Sequence, residues 1–209
     1  MFDVVVVGGG PVGACLATLL ARGAGAAGLK VALVEPRPTA PPAPTAPLEA
    51  RVVAVSRASE RILTHAGAWP GIRGPRLCAY ERMRVWHERA SPTAREVLVF
   101  DAADVGEPNL GYIAENRLVQ AALLEAFAAA GGHLERAGFS RLAIREDAVD
   151  VGTAGGTLTA RLVVGADGAQ SAVRAAAGLG SASPGYHQTA IVATVATARP
   201  HQSTACRPP

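Results

Sequence analysis

Aromatic residues are scarce in this chain, lysine is nearly absent and cysteine is too sparse to build with. Phe, Trp and Tyr make up 4% of the 209 residues, so much of the 49% hydrophobic content is alanine, which buries little area per residue. Twenty basic residues, nearly all arginine, stand against seventeen acidic ones. That balance makes no basic stripe, and no nucleic-acid partner is implied. Cys15, Cys78 and Cys206 are far apart and odd in number. They form neither a metal-ligand cluster nor a disulfide framework, and a reducing cytoplasm is the natural setting. The five histidines are scattered without an i,i+4 pair, so no metal site and no catalytic histidine is assigned. Long apolar runs are also missing, and no segment is fit to span a membrane. Residues 3–20 resemble a signal peptide only superficially: Asp3 replaces the expected basic start and glycines interrupt the apolar stretch.

What is present is a globular composition, with 18% charge and a mean hydropathy of +0.22. The length suffices for one domain plus part of another. Val4 to Val7 is a run of β-branched residues expected as a strand buried on both faces. A glycine turn from Gly8 to Gly13, a helix from Ala14 to Arg22 and a strand from Lys30 to Val34 complete a βαβ unit. Six prolines in the twelve residues from Pro36 to Pro47 exclude helix and central strand, leaving an exposed, polyproline-leaning loop. Helical spacing marks Ser56–Ala66 and Asn116–Ala130, the latter with Leu118, Leu123, Leu124 and Phe127 as its core stripe. Alternation predicts strands over Arg82–Glu88, Arg95–Phe100 and Gln188–Thr197. Leu134–Arg136, Ser140–Arg145, Ala148–Thr153 and Thr157–Ala160 predict a strand and a small meander. Leu162–Ala166 reads as a further buried parallel strand, with a short helix from about Ser171.

The turn Gly8-Gly-Gly10-Pro11-Val12-Gly13 fits G-x-G-x-x-G. It follows a strand, opens a helix and precedes a second strand ending in Glu35, which is the context the motif needs. Gly8 allows the tight turn, Gly10 lets the backbone approach a pyrophosphate, and Gly13 lets helix and strand pack closely. The helix N-terminus offers free N–H groups and a positive dipole end to phosphates. Glu35 is placed to accept hydrogen bonds from the adenosine ribose. About four extra residues around Gly23–Gly28 stretch the usual spacing; a longer helix or a looser loop would each absorb them.

A second motif, Asp167-Gly168-Ala-Gln-Ser171-Ala-Val173-Arg174, follows the strand Leu162–Ala166. Here the chain resembles the class A flavoprotein aromatic hydroxylases, whose D-G-x-x-S-x-V-R segment lies near the FAD pyrophosphate and is implicated in NAD(P)H use. Asp167 and Gly168 would shape a turn beside the cofactor, Ser171 would cap the next helix, and Arg174 would brace the segment. Glu49-Ala-Arg51-Val-Val-Ala-Val-Ser56, Leu110-Gly-Tyr112-Ile-Ala-Glu115-Asn116-Arg117, and Gln188-Thr-Ala-Ile191-Val-Ala-Thr194-Val with Pro200-His201 resemble segments of the ubiquinone-biosynthesis hydroxylases within that family, most like the 2-octaprenyl-6-methoxyphenol hydroxylase type. By position, Arg51 and Arg117 are candidates to line the FAD phosphate and ribityl region. Arg51 reads equally as a solvated loop residue, and Arg117 as a helix-surface one. Asn116 is either a ligand or an N-cap. Tyr112 packs in the core or faces the substrate; Trp69 and Trp86 read as core.

The resemblance implies an α/β fold: a Rossmann-like FAD-binding domain of the p-hydroxybenzoate hydroxylase fold, split over residues 1–70 and 111–182. Residues 71–110 and 183–209 would form a partial β-rich substrate domain. It further implies FAD as cofactor, NAD(P)H as co-substrate, and oxygen insertion into a prenylated phenol through a flavin C4a-hydroperoxide. No side-chain nucleophile or metal is needed. A cytoplasmic location, or one peripheral to the inner membrane, is expected, with other ubiquinone-pathway proteins or the membrane surface as candidate partners. The family's second flavin motif, G-D-A-A-H-x-x-x-P, is not found, so a truncated hydroxylase with little bound FAD and no substrate-coupled NADH oxidation is expected. A non-catalytic nucleotide-binding remnant is the alternative. An NAD-dependent dehydrogenase module is a third reading, and the Asp167–Arg174 motif argues against it.

Overall fold

The computed structural model describes residues 1–23, 29–87, 89–91, 94–95, 97–182, 189–198 and 200–207. Strand β1 (Phe2–Val7) is followed by α1 (Pro11–Gly23) and β2 (Val31–Val34). Next come β3 (Val52–Ser56), α2 (Arg57–His65), α3 (Trp69–Ile72), β4 (Cys78–Tyr80), β5 (Arg82–Val85) and β6 (Leu98–Asp101). Then follow β7 (Gly111–Glu115), α4 (Asn116–Ala129), β8 (His133–Glu135), β9 (Phe139–Ile144), β10 (Val149–Thr153), β11 (Gly156–Gly165), α5 (Ala172–Ala176) and β12 (Thr204–Arg207).

The main sheet has six strands in the order β8-β2-β1-β11-β10-β9. Its first four are mutually parallel and its last two join by antiparallel pairing. Strand side chains alternate between faces, and both faces here are covered. Val4, Val6 and Leu33 pack with Ala14, Ala17, Leu123 and Phe127 of α1 and α4. Val5, Val7, Ala32 and Val34 pack with Val151, Ala160 and Val173 on the other side. This is why β1 and β2 are continuous apolar runs. Leu118, Leu123, Leu124 and Phe127 are all buried, as the stripe predicts. The small residues Gly13, Ala14, Ala17 and Thr18 form the buried face of α1. The Thr18 hydroxyl shares its one hydrogen between the Ala14 carbonyl at 2.7 Å and, across to α4, the Leu123 carbonyl at 3.2 Å.

Several boundaries differ from the sequence reading. Thr157–Ala160 and Leu162–Ala166 are one strand, β11, interrupted in the sequence pattern by Arg161. Its first half pairs with β10 and its second with β1, meeting at Ala160. The expected strand over Gln188–Thr197 is not formed: residues 189–197 carry no strand, and Gln188 lies outside the described residues. The segment that pairs with β5 is β12, in parallel. Ile191, Val192 and Val195 are instead exposed. β5 stops at Val85 and β6 starts at Leu98, so each is shorter at one end than the alternation suggests; Glu88 and Glu96 lie outside the described residues. The stretched Gly23–Gly28 region falls almost wholly outside them too.

Helix starts follow from side-chain chemistry. Ser56 caps α2 by accepting from the Ser59 N–H, and Ser171 caps α5 by accepting from the Arg174 N–H. Asn116 is not an N-cap: Glu115 occupies that position, because its extended backbone ends β7. Trp69 is buried in the core, edge-on to Tyr112 with ring centroids 5.1 Å apart. Tyr112 therefore packs. Trp86 is only half-buried, since it follows β5 away from both core clusters.

Candidate functional site

The turn between β1 and α1 is built on three glycines with different constraints. Gly8 has φ +106°, and a Cβ there would meet the Ala166 oxygen at 2.4 Å. A Cβ on Gly13 would meet the Gly8 oxygen at 2.0 Å and the Ala166 Cβ at 2.9 Å. These two glycines let the turn press against the end of β11. Gly10 is different: a Cβ there would meet nothing within 4 Å. Gly10 thus faces open space at the N-terminus of α1, whose first residue is Pro11, and Val12 beside it is 79% exposed. Proline at the first helical position removes no needed donor. Unfilled space at the positive end of a helix, next to free backbone N–H groups, suits the phosphates of a dinucleotide.

Glu35 lies where β2 ends and reaches this turn. Its Oε2 accepts from the Gly9 N–H at 2.8 Å and its Oε1 from the Arg37 N–H at 2.9 Å. Each carboxylate oxygen accepts more than one hydrogen bond, so capacity remains for ribose hydroxyls.

Beside the turn is a cleft of about 560 Å³ lined by Thr39, Glu49, Arg51, Asn116, Arg117 and Gln120, among others. Arg51 and Arg117 are thus brought together, both exposed. Arg117 donates to the Ala40 carbonyl at 3.2 Å and lies 3.5 Å from Glu49. Sequence reasoning missed two residues here. Gln120 links the cleft to the turn by donating to the Gly9 carbonyl at 2.7 Å. No pattern marks a glutamine one helical turn after Asn116.

The other missed residue is Arg76. It sits in the loop before β4 and donates to both Glu115 oxygens, at 2.6 and 2.7 Å. It also donates to the carbonyls of Ala43, Pro44, Ala46 and Pro47. The proline-rich loop is therefore clamped by one guanidinium, whose five donors fit such a task. That Arg76 hydrogen bond is the main cause holding the Glu115 carboxyl below its ordinary range, against the opposing effect of burial.

The segment after β11 is knit together by its own hydrogen bonds. Asp167 accepts from the Ser171 hydroxyl at 2.5 Å and from the Ala172 and Val173 N–H groups at 2.7 and 3.1 Å. Burial alone would raise its carboxyl, but these bonds outweigh burial and lower it. Arg174 donates to the Ala169 carbonyl at 2.9 Å, the bracing role expected from the sequence. Gly168, Ser171 and Arg174 line a separate, largely apolar cleft of about 450 Å³ between α5 and the strands β9 to β11. Asp167 meets the β1–α1 turn through its backbone, with its Cα next to Gly8.

Among the described residues no group of His, Cys, Asp and Glu is arranged to hold a metal ion, and no helix is long and apolar enough to cross a membrane.

Comparisons with known proteins agree with this geometry. The sequence profile of the FAD binding domain family matches residues 1–207. The 3-demethoxyubiquinol 3-hydroxylase of Escherichia coli is 34% identical over 196 residues, covering 92% of this chain and 48% of that protein. The mitochondrial ubiquinone biosynthesis monooxygenase COQ6 of Mus musculus is 34% identical over 209 residues, covering 93% of this chain and 42% of that one. The flavin-dependent monooxygenase PieE, solved with FAD and substrate, superposes with a TM-score of 0.62 at 22% identity, covering 85% of this chain and 32% of that one. At that identity the likeness carries the fold. The chain spans less than half the length of these relatives.

Proposed function

The chain belongs to the FAD binding domain family, and from that premise we propose that it binds the ADP half of FAD within an aromatic hydroxylase of ubiquinone biosynthesis. The observation that carries this is the open space at Gly10, set at the start of a 13-residue helix, with the Glu35 carboxylate from the end of β2 bonded to the neighbouring Gly9 N–H. Gly8, Gly10, Pro11, Val12 and Gly13 would hold the pyrophosphate and Glu35 the adenosine ribose. Arg51 and Arg117 would line the neighbouring phosphate and ribityl region, in the cleft they share. Asp167, Gly168, Ser171 and Arg174 would hold the end of β11 against the turn. Bound FAD supplies the redox and oxygen-transfer chemistry. The protein's own part is to bind, orient and keep the pyrophosphate against the α1 terminus.

The names of the curated relatives support a ubiquinone precursor as the substrate class; we propose a prenylated phenol, with NAD(P)H as reductant. A hydrophobic substrate of that kind suits a protein working at the inner-membrane surface beside other enzymes of the pathway. We assign residues 1–70 and 111–182 to the FAD-binding part and 71–110 and 183–209 to the substrate-facing part. The sheets support this division: the six-stranded sheet comes wholly from the first part, and β12-β5-β6 from the second. Among the described strands β4 crosses, pairing with β7, and α3 straddles the boundary with Trp69 and Ile72 both in the main core. The test is retention of FAD. Purified chain incubated with excess FAD and gel-filtered is expected to carry flavin absorbance in its protein peak. A colourless peak at micromolar FAD would count against the reading.

A further inference from the structure

The middle residue of the phosphate turn is held from two sides. The Gly9 N–H donates to Glu35 at 2.8 Å, and the Gly9 carbonyl accepts from Gln120 Nε2 at 2.7 Å. Gln120 is itself oriented by the Thr39 hydroxyl, which lies 2.9 Å from its Oε1. The assignment of the amide is fixed by chemistry: a carbonyl oxygen only accepts, so the NH₂ must face Gly9. No described peptide bond is cis. In a trans peptide the C=O and the following N–H point in opposite directions. Holding the Gly9 oxygen toward α4 therefore aims the Gly10 N–H away from α4. Among the described residues that N–H has no protein acceptor, and the space at Gly10 is open.

Resting on the FAD reading above, we infer that Gln120 is a positioning residue: it fixes the Gly9–Gly10 peptide so that the Gly10 N–H is presented to the pyrophosphate. Thr39 sets the orientation of Gln120, so the proline-rich loop is coupled to the phosphate turn through one side chain. Gln120 need not touch the ligand to do this. Its loss should weaken recognition of phosphates and leave recognition of the nucleoside alone.

That difference separates positioning from general support. ADP, adenosine and FAD are titrated into the full chain and into Gln120→Met, Gln120→Glu and Thr39→Val, with thermal melting of each. Gln120→Met keeps the length and removes the donor. It is expected to weaken ADP and FAD about tenfold, to change adenosine less than twofold, and to melt near the unsubstituted chain. Gln120→Glu sets a carboxylate against the Gly9 oxygen and should weaken ADP further. Thr39→Val removes only the orienting partner and should weaken ADP two- to threefold. ADP binding by Gln120→Met equal to that of the unsubstituted chain overturns the inference. So does a loss shared equally by ADP and adenosine. If Gln120→Met fails to fold, Thr39→Val decides alone by the same ADP-to-adenosine ratio. Absence of ADP and FAD binding by the unsubstituted chain sinks the cofactor reading itself, a different failure.

Discussion

Gly10 and Gly13 belong to one motif, yet the structure assigns them opposite costs. A Cβ on Gly13 would lie 2.0 Å from the Gly8 oxygen and 2.9 Å from the Ala166 Cβ. The first is backbone in a turn already pressed against β11, so relief requires moving α1 or the turn. Overpacking of this kind costs about 1–3 kcal/mol and sometimes more; with a backbone atom as the obstacle, about 3 kcal/mol is expected. For a chain of this length that corresponds to a fall in Tm of roughly 6–12 °C. Gly10→Ala meets nothing within 4 Å. Its stability cost is that of a poorer residue before α1, about 1 kcal/mol or less. Its methyl would project into the space reserved for the pyrophosphate. FAD affinity should therefore fall at least tenfold, about 1.4 kcal/mol. Differential scanning fluorimetry reads the first quantity and flavin fluorescence titration the second. Gly13→Ala should be a stability variant and Gly10→Ala a binding variant. Equal destabilisation by both, or full FAD affinity in Gly10→Ala, would refute the reasoning.

Other expectations follow from the loop clamp, the cap and the carboxylates. Arg76→Ala leaves Glu115 without its main partner and releases four loop carbonyls; trypsin should then cut faster after Arg51, and Arg76→Lys should restore only part of the protection because an ammonium lacks the guanidinium's planar fork. Unchanged digestion of Arg76→Ala would mean the loop is held by something else. Ser171→Ala removes the side-chain acceptor at the start of α5 and should cost about 1 kcal/mol, seen as a lower urea midpoint. The carboxyls of Glu115 and Asp167 both lie below their ordinary range in the folded chain. Their contribution is therefore complete above the unfolded range, near pH 4, and is lost as pH falls through the lower folded values. The urea midpoint should be flat near neutrality and decline in acid, and Glu115→Gln should make that decline shallower.

The legible parts of the fold were those where chain chemistry acts locally. Val4–Val7 and the Leu118–Phe127 stripe announce their elements because burial on both faces, or on one helical face, forces an apolar period. Ser56 and Ser171 announce helix starts because a hydroxyl there has a backbone N–H to serve. The turn from Gly8 to Gly13 was readable because the backbone pressed against Gly8 and Gly13 leaves no room for a Cβ. Parts that depend on distant partners were not readable. Arg161 disguised β11 as two strands, since its two halves answer to different neighbours. The alternation over 189–197 predicts a strand, yet the segment that pairs with β5 is β12, because pairing is decided by a distant partner and not by the local pattern. Arg76 and Gln120 carry no sequence signal, because their importance comes from carbonyls 30 and 111 residues away.

The central claim is that this chain recognises the adenosine-diphosphate half of FAD at the turn between β1 and α1. Competition titration tests it most directly, with FAD bound first and ADP or FMN added as the competitor. ADP should displace FAD from a single site, and FMN, which shares only the flavin half, should not. Displacement by FMN with no effect of ADP would contradict the claim.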